Sequence, residues 1–159
     1  MKTVDKIFLI YFISHIPITI FMDSTIIVPK EYQLELSKTL LDFHISANKD
    51  ILLIHSPTWF KLFGVVELVF QLPLFFYFIY KLLVAPVLDS DYFIWTIVYG
   101  FNASFTTFVC MGWIIIEGQD LGLNLQEIAN LCAIYSPYLI IPAWLLLNSI
   151  SRLRKIKTD

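Results

Sequence analysis

Glu67 and Gln71 stand near the middle of a stretch, residues 59–84, that is otherwise almost wholly apolar. Four residues apart on a helix, they project from one face. Gly64, one turn earlier, leaves space beside that face, and Pro73 cannot donate to the carbonyl of Val69, so a bend is expected there. At a rise of about 1.5 Å per residue the stretch is long enough to cross a bilayer core of about 30 Å. An ionised acid at the centre of such a helix costs about 2.5–3.5 kcal/mol. Glu67 must therefore face the protein interior, find a partner or stay protonated. It reads either as a neutral side chain that hydrogen-bonds another helix or as part of a buried polar site. Intramembrane ionisable residues are functional candidates by default, which favours the second reading.

The rest of the chain must position that group inside a membrane. Of 159 residues, 58% are hydrophobic and only 15% charged, with a mean hydropathy of +0.74, against about 25% charge in soluble domains. This composition predicts a single integral membrane domain over residues 1–159. The net charge of −2 comes without a basic stripe, so no nucleic-acid partner is expected. Cys110 and Cys132 lie in apolar segments and read as small buried hydrophobes. Neither a disulfide, a metal site nor a cofactor is expected.

Four spans are predicted, at about 4–22, 59–84, 92–116 and 128–150. The first has an apolar core like that of a signal peptide, but His15, Pro17 and Asp23 follow it without a small-x-small cleavage site, so it reads as a retained helix. Pro17 should kink it. His15 is either a satisfied structural histidine or part of the buried site. Residues 24–57 form the longest connection, with an imperfect amphipathic helix at about 30–46 that would lie on the membrane or cap the bundle. Asp50 either caps a short turn or is a solvated loop acid. Asn102 and Thr106 share a face of the third span, where such groups form interhelical hydrogen bonds. Tyr135, Pro137, Tyr138 and Pro142 should interrupt the fourth, deforming it and opening space; a tyrosine at that depth seeks a partner for its hydroxyl.

Lys2 and Lys6 flank the first span, and Arg152, Arg154, Lys155 and Lys157 flank the last, while the 117–127 loop carries three acids and no base. The positive-inside rule then places both termini in the cytosol and the 24–57 loop in the lumen. The basic tail, 151–159, holds Lys157 and Lys155 third and fifth from the end. That fits a dilysine signal for return to the endoplasmic reticulum, or a plain positive anchor.

Three phrases occur together: SHIPITIFMD (14–23), ELVFQLP (67–73) and YSPYLIIP (135–142), with WFK (59–61) beside them. On these the chain resembles the sigma-2 receptor branch of the EXPERA, or emopamil-binding protein, family, which includes a sterol isomerase. The likeness is dense in spans one, two and four and thin in span three and the first loop. It implies an all-α membrane protein, a four-transmembrane-helix bundle with kinked helices that encloses an intramembrane ligand pocket and pairs as a homodimer. It further implies that Asp23 meets the amine of cationic ligands, that Glu67 hydrogen-bonds to Asp23, and that Asp50 is a structural acid. Gln71, His15, Met22, Tyr138 and Thr106 match pocket positions, and Phe60 and Phe63 match aromatic walls.

Two carboxyls in a dry pocket cannot both ionise cheaply, so such a pair shares a proton and carries about one negative charge. A lipophilic amine would supply the opposite charge, with cation–π attraction from the walls; a sterol or oxysterol-like lipid could use its hydroxyl instead. The expected function is a non-enzymatic binder of sterol-like lipids and cationic amphiphiles in the endoplasmic reticulum membrane, serving sterol homeostasis or membrane-protein biogenesis. One alternative is a sterol double-bond isomerase, which needs an acid and a base across the ring; the resemblance implies an acid one turn after the first-span histidine in isomerase members, and Thr19 stands there. Another is a helper in the targeting of membrane or organellar precursor proteins, with such clients as partners and no small ligand.

Overall fold

The computed structural model describes residues 2–85 and 87–156. All regular structure among them is helical: α1 (Thr3–Phe21), α2 (Glu35–Asn48), α3 (Ile51–His55), α4 (Thr58–Val66), α5 (Leu72–Val84), α6 (Ser90–Glu117) and α7 (Leu125–Ile156), with short 3₁₀ turns at Asp23–Ile26 and Lys30–Tyr32 and a π turn at Glu67–Gln71. Four stretches are long and apolar enough to cross a membrane: Thr3–Ile26, Thr58–Val84, Ser90–Glu117 and Leu125–Ile156. The all-α class and the four spans are those the sequence predicts. Large apolar side chains such as Val69, Phe76, Leu83, Phe101, Phe108 and Leu147 point outward, as a lipid-facing exterior requires.

The prolines inside the spans are accommodated in different ways. Ahead of Pro73 the second span widens into its π turn, in which the Leu72 N–H reaches back to the Glu67 carbonyl. The extra residue in that turn loosens the helix where the proline ring would meet the preceding turn. The fourth span is not interrupted at Tyr135–Pro142, contrary to expectation; α7 runs through both prolines. Pro137 removes the partner of the Ala133 carbonyl, and Ser136 Oγ donates to that oxygen instead (2.8 Å). Pro142 does the same to the Tyr138 carbonyl, which accepts from Thr107 Oγ1 of α6 (3.3 Å). Hydroxyls thus satisfy the freed acceptors, and the helix continues. α1 likewise continues through Pro17.

The amphipathic helix expected at 30–46 begins later, at Glu35. The Gln33 amide donates to the Thr25 and Val28 carbonyls (3.2 and 2.7 Å), and Leu34 is extended, so the chain is held against the end of the first span before it can coil. α7 runs on to Ile156, so the basic segment begins as helix rather than as a tail. There Arg152 pairs with the buried Asp5 of α1 and lies over the Phe93 ring.

α6 and α7 pack most closely. A Cβ added to Gly100 would lie 2.7 Å from the Pro142 carbonyl oxygen and 3.1 Å from Leu146, so only glycine allows this approach. Thr96 Oγ1 donates to Ser149 Oγ across the same seam (2.8 Å). Two hydrophobic clusters fill the bundle. One gathers Phe8, Phe12, Phe75, Phe78, Tyr92, Tyr99 and Leu145; the other gathers Ile51, Leu52, Phe60, Cys110, Ile114, Leu123, Ile128 and Leu131. A cavity draws its walls from both.

Candidate functional site: an acid-lined cavity in the bundle

His15, Thr19 and Asp23 follow one another at four-residue spacing along the first span, so they fall on one face. His15 is buried, and its Nε2 lies 3.2 Å from Glu67 Oε1 of the second span. Thr19, fully buried, donates its hydroxyl toward the same oxygen at 3.4 Å. Asp23 opens the 3₁₀ turn that ends the span, and one of its carboxylate oxygens lies within 4.8 Å of both His15 and Glu67 ligand atoms. The His15 ring is wedged among Tyr11, Phe75 and Tyr138, with centroids 5.0–5.2 Å away. Rings on three sides fix the imidazole plane.

Glu67 and Gln71 are the first and last residues of the π turn, and both side chains face the cavity. Gln71 is buried and donates to Asn102 Oδ1 of α6 (2.9 Å). Tyr11 and Tyr99 close the same end with their hydroxyls 3.2 Å apart. Thr106 turns its hydroxyl back to the carbonyls of Asn102 and Ala103, leaving its methyl group free to pack.

Asp50 anchors the other end. It is completely buried, so the solvated-acid reading does not apply. Its Oδ1 accepts from the Leu52 and Leu53 N–H groups (3.0 and 3.3 Å) and so caps α3. Its Oδ2 accepts from Tyr135 OH of α7 (2.9 Å) and from His44 Nε2 of α2 (3.0 Å). His44 Nδ1 accepts in turn from the Asn48 side chain (3.3 Å), so the Nε2–H tautomer satisfies both contacts. Every oxygen of this acid is thereby paired, as burial demands.

The space between these ends is a cavity of about 370 Å³, within the range of small-molecule sites. Asp23, Glu67, Gln71, Tyr138, His15, Met22, Thr106, Phe60 and Phe63 all line it, and Asp50 borders it. Lys155 lies far along α7, in its last turn, and Lys157 lies outside the described residues. The sequence reading missed Tyr11, His44, Tyr99 and Thr107, which also line the cavity. Tyr11 could have been found, since it precedes His15 by four residues on the same helix. His44 could not, because its position depends on how the 24–57 connection folds back over the bundle.

Comparison with known proteins places these features in a family. The EXPERA (EXPanded EBP superfamily) model matches residues 36–149. "Efficient mitochondria targeting-associated protein 19" of Saccharomyces cerevisiae is 37% identical over 148 residues, covering 87% of this chain and 92% of the relative. "Sigma intracellular receptor 2" of Homo sapiens is 36% identical over 157 residues, covering 92% and 86%. The Schizosaccharomyces pombe targeting-associated protein is 31% identical over 152 residues, covering 95% and 77%.

Proposed function

The chain belongs to the EXPERA family, and from that premise we propose that it is a non-enzymatic intramembrane receptor for sterol-like lipids and cationic amphiphiles. The observation that carries this reading is the cavity in which Asp23 and Glu67, from different spans, stand among apolar and aromatic walls. An acid pair with about one net negative charge attracts a protonated amine strongly where water is scarce: two unit charges 4 Å apart interact by about 4 kcal/mol at an effective dielectric of about 20. Phe60 and Phe63 add apolar area and ring faces for the cation. An uncharged sterol would present its hydroxyl to the same polar end and its rings to the walls.

The whole chain, 1–159, acts as one membrane unit in the endoplasmic reticulum, with both termini in the cytosol, and it pairs as a homodimer. Thr19, not an acid, stands one turn after His15 and donates to Glu67, which departs from the acid that the resemblance implies at that position in isomerase members. The test is competition on purified protein: a sterol should displace a tritiated lipophilic amine from wild type. If sterols at saturating concentration leave the amine bound, the two classes do not share the cavity and the lipid half of the proposal fails. Replacing Lys155 and Lys157 by serine should release the protein from the endoplasmic reticulum; an unchanged location would make the lysines a simple anchor.

The name of the yeast relative favours a second reading, in which the chain assists targeting to mitochondria. Arrival of mitochondrial precursors in cells lacking the chain, restored by wild type or by Asp23→Asn, separates the two. Full restoration by Asp23→Asn would mean that targeting proceeds without the ligand site.

A further inference from the structure

His15, Asp23 and Glu67 form more than an acid pair with a neighbour. One imidazole nitrogen and two carboxylate oxygens lie within 4.8 Å of one another. The His15 Nε2 to Glu67 Oε1 distance is 3.2 Å, and two donors on a tetrahedral ion with bonds of about 2.0–2.1 Å stand about 3.4 Å apart. The third donor, an Asp23 carboxylate oxygen, lies within 4.8 Å of both. The surroundings are those of a prepared site. Aromatic rings hold the imidazole plane on three sides. The Thr19 hydroxyl donates to the Glu67 oxygen, the kind of supporting contact that orients a ligating carboxylate. All three residues line the cavity, which would supply the remaining ligand.

The donor set indicates the ion. One nitrogen and two oxygens with an open position suit a borderline transition ion such as zinc. Calcium takes six to eight oxygens, and magnesium near-ideal octahedral geometry, and neither is provided for here. Charge agrees as well. Two carboxylates and a neutral imidazole cancel a divalent cation, which lowers the cost of holding it away from water.

We propose that His15, Asp23 and Glu67 bind a divalent transition ion of the zinc type, and that this ion and a cationic amphiphile exclude one another. The metal site stands on His15 together with the two acids, whereas its exclusion of the amphiphile rests on the receptor reading. The experiment uses untagged full-length protein in detergent, titrated with zinc against a chelator of known affinity. Wild type should take up one ion per chain. X-ray absorption should show one imidazole nitrogen with oxygen donors, and the ion should raise the melting temperature. His15→Ala and Glu67→Gln should each weaken uptake by at least about tenfold, while His55→Ala, which removes an exposed imidazole outside the cavity, should not. His15→Gln serves as a second variant if His15→Ala fails to fold. Absence of uptake at micromolar zinc, or uptake that survives His15→Ala and is lost in His55→Ala, overturns the site. Zinc should also displace a tritiated lipophilic amine. Uptake at the three residues without amine binding would keep the metal site and remove the receptor reading; amine binding without zinc uptake would do the reverse. Both bound together would overturn the exclusion.

Discussion

Replacing Asp50 by alanine should loosen its end of the cavity from several sides at once. The side chain is fully buried, caps α3 through the Leu52 and Leu53 N–H groups, and ties α7 and α2 to that cap through Tyr135 and His44. Loss of a helix cap costs about 1 kcal/mol. Each hydrogen bond to a charged acceptor contributes about 1.5–3 kcal/mol. Removal of the carboxylate also relieves its own desolvation, so the sum is an upper bound, and a loss of about 3–5 kcal/mol is expected. At about 2–4 °C per kcal/mol for a chain of this size, the melting temperature should fall by roughly 6–20 °C. Tyr135→Phe removes only one donor and should cost about 1.5–3 kcal/mol. Because the two act on one bond, Asp50→Ala made in a Tyr135→Phe background should cost about 1–2 kcal/mol less than in wild type. Thermal unfolding in micelles, followed by far-ultraviolet circular dichroism, reads all four proteins. Strict additivity, or a loss below about 1 kcal/mol for Asp50→Ala, would refute the view that this acid joins the loop helices to the bundle.

Two further outcomes follow from packing elsewhere. Gly100→Ala places a methyl group 2.7 Å from the Pro142 carbonyl oxygen and should destabilise the α6–α7 pair by about 1–3 kcal/mol; an unchanged melting temperature would show that the seam is looser than described. Arg152→Gln strands the buried Asp5 and should cost about 2–3 kcal/mol, less than for a fully buried pair because the arginine is partly exposed. Adding Asp5→Asn should recover much of that loss, and failure to recover it would assign the effect to the Phe93 contact instead.

How much of this was legible in the sequence depends on whether the signal was local. Long apolar runs specify four spans because backbone groups in lipid must pair within their own helix. The phrases around His15, Glu67 and Tyr138 pointed to one interior, and those residues do border one cavity. Pro137 and Pro142 misled, since the sequence shows the missing N–H but not the hydroxyls of Ser136 and Thr107 that compensate. The start of α2 misled as well: Gln33 competes with helix formation by bonding the Thr25 and Val28 carbonyls, at and just beyond the end of the first span. Asp50 was ambiguous for the same reason, because two of its partners, Tyr135 and His44, are brought to it by tertiary folding. The convergence of His15, Asp23 and Glu67 was legible only through the resemblance, because the three stand eight residues apart in one span and then across a loop.

The central claim is that the charge of the Asp23–Glu67 pair, not merely the hollow, recognises the ligand. The most direct measurement compares a lipophilic amine with its uncharged carbon isostere on wild type and on Asp23→Asn. Wild type should prefer the amine by about 100-fold, the equivalent of about 2.7 kcal/mol of charge recognition, and Asp23→Asn should bind the two within a few-fold while remaining folded. Equal affinities in wild type, or a preference for the amine that survives Asp23→Asn, would contradict the account.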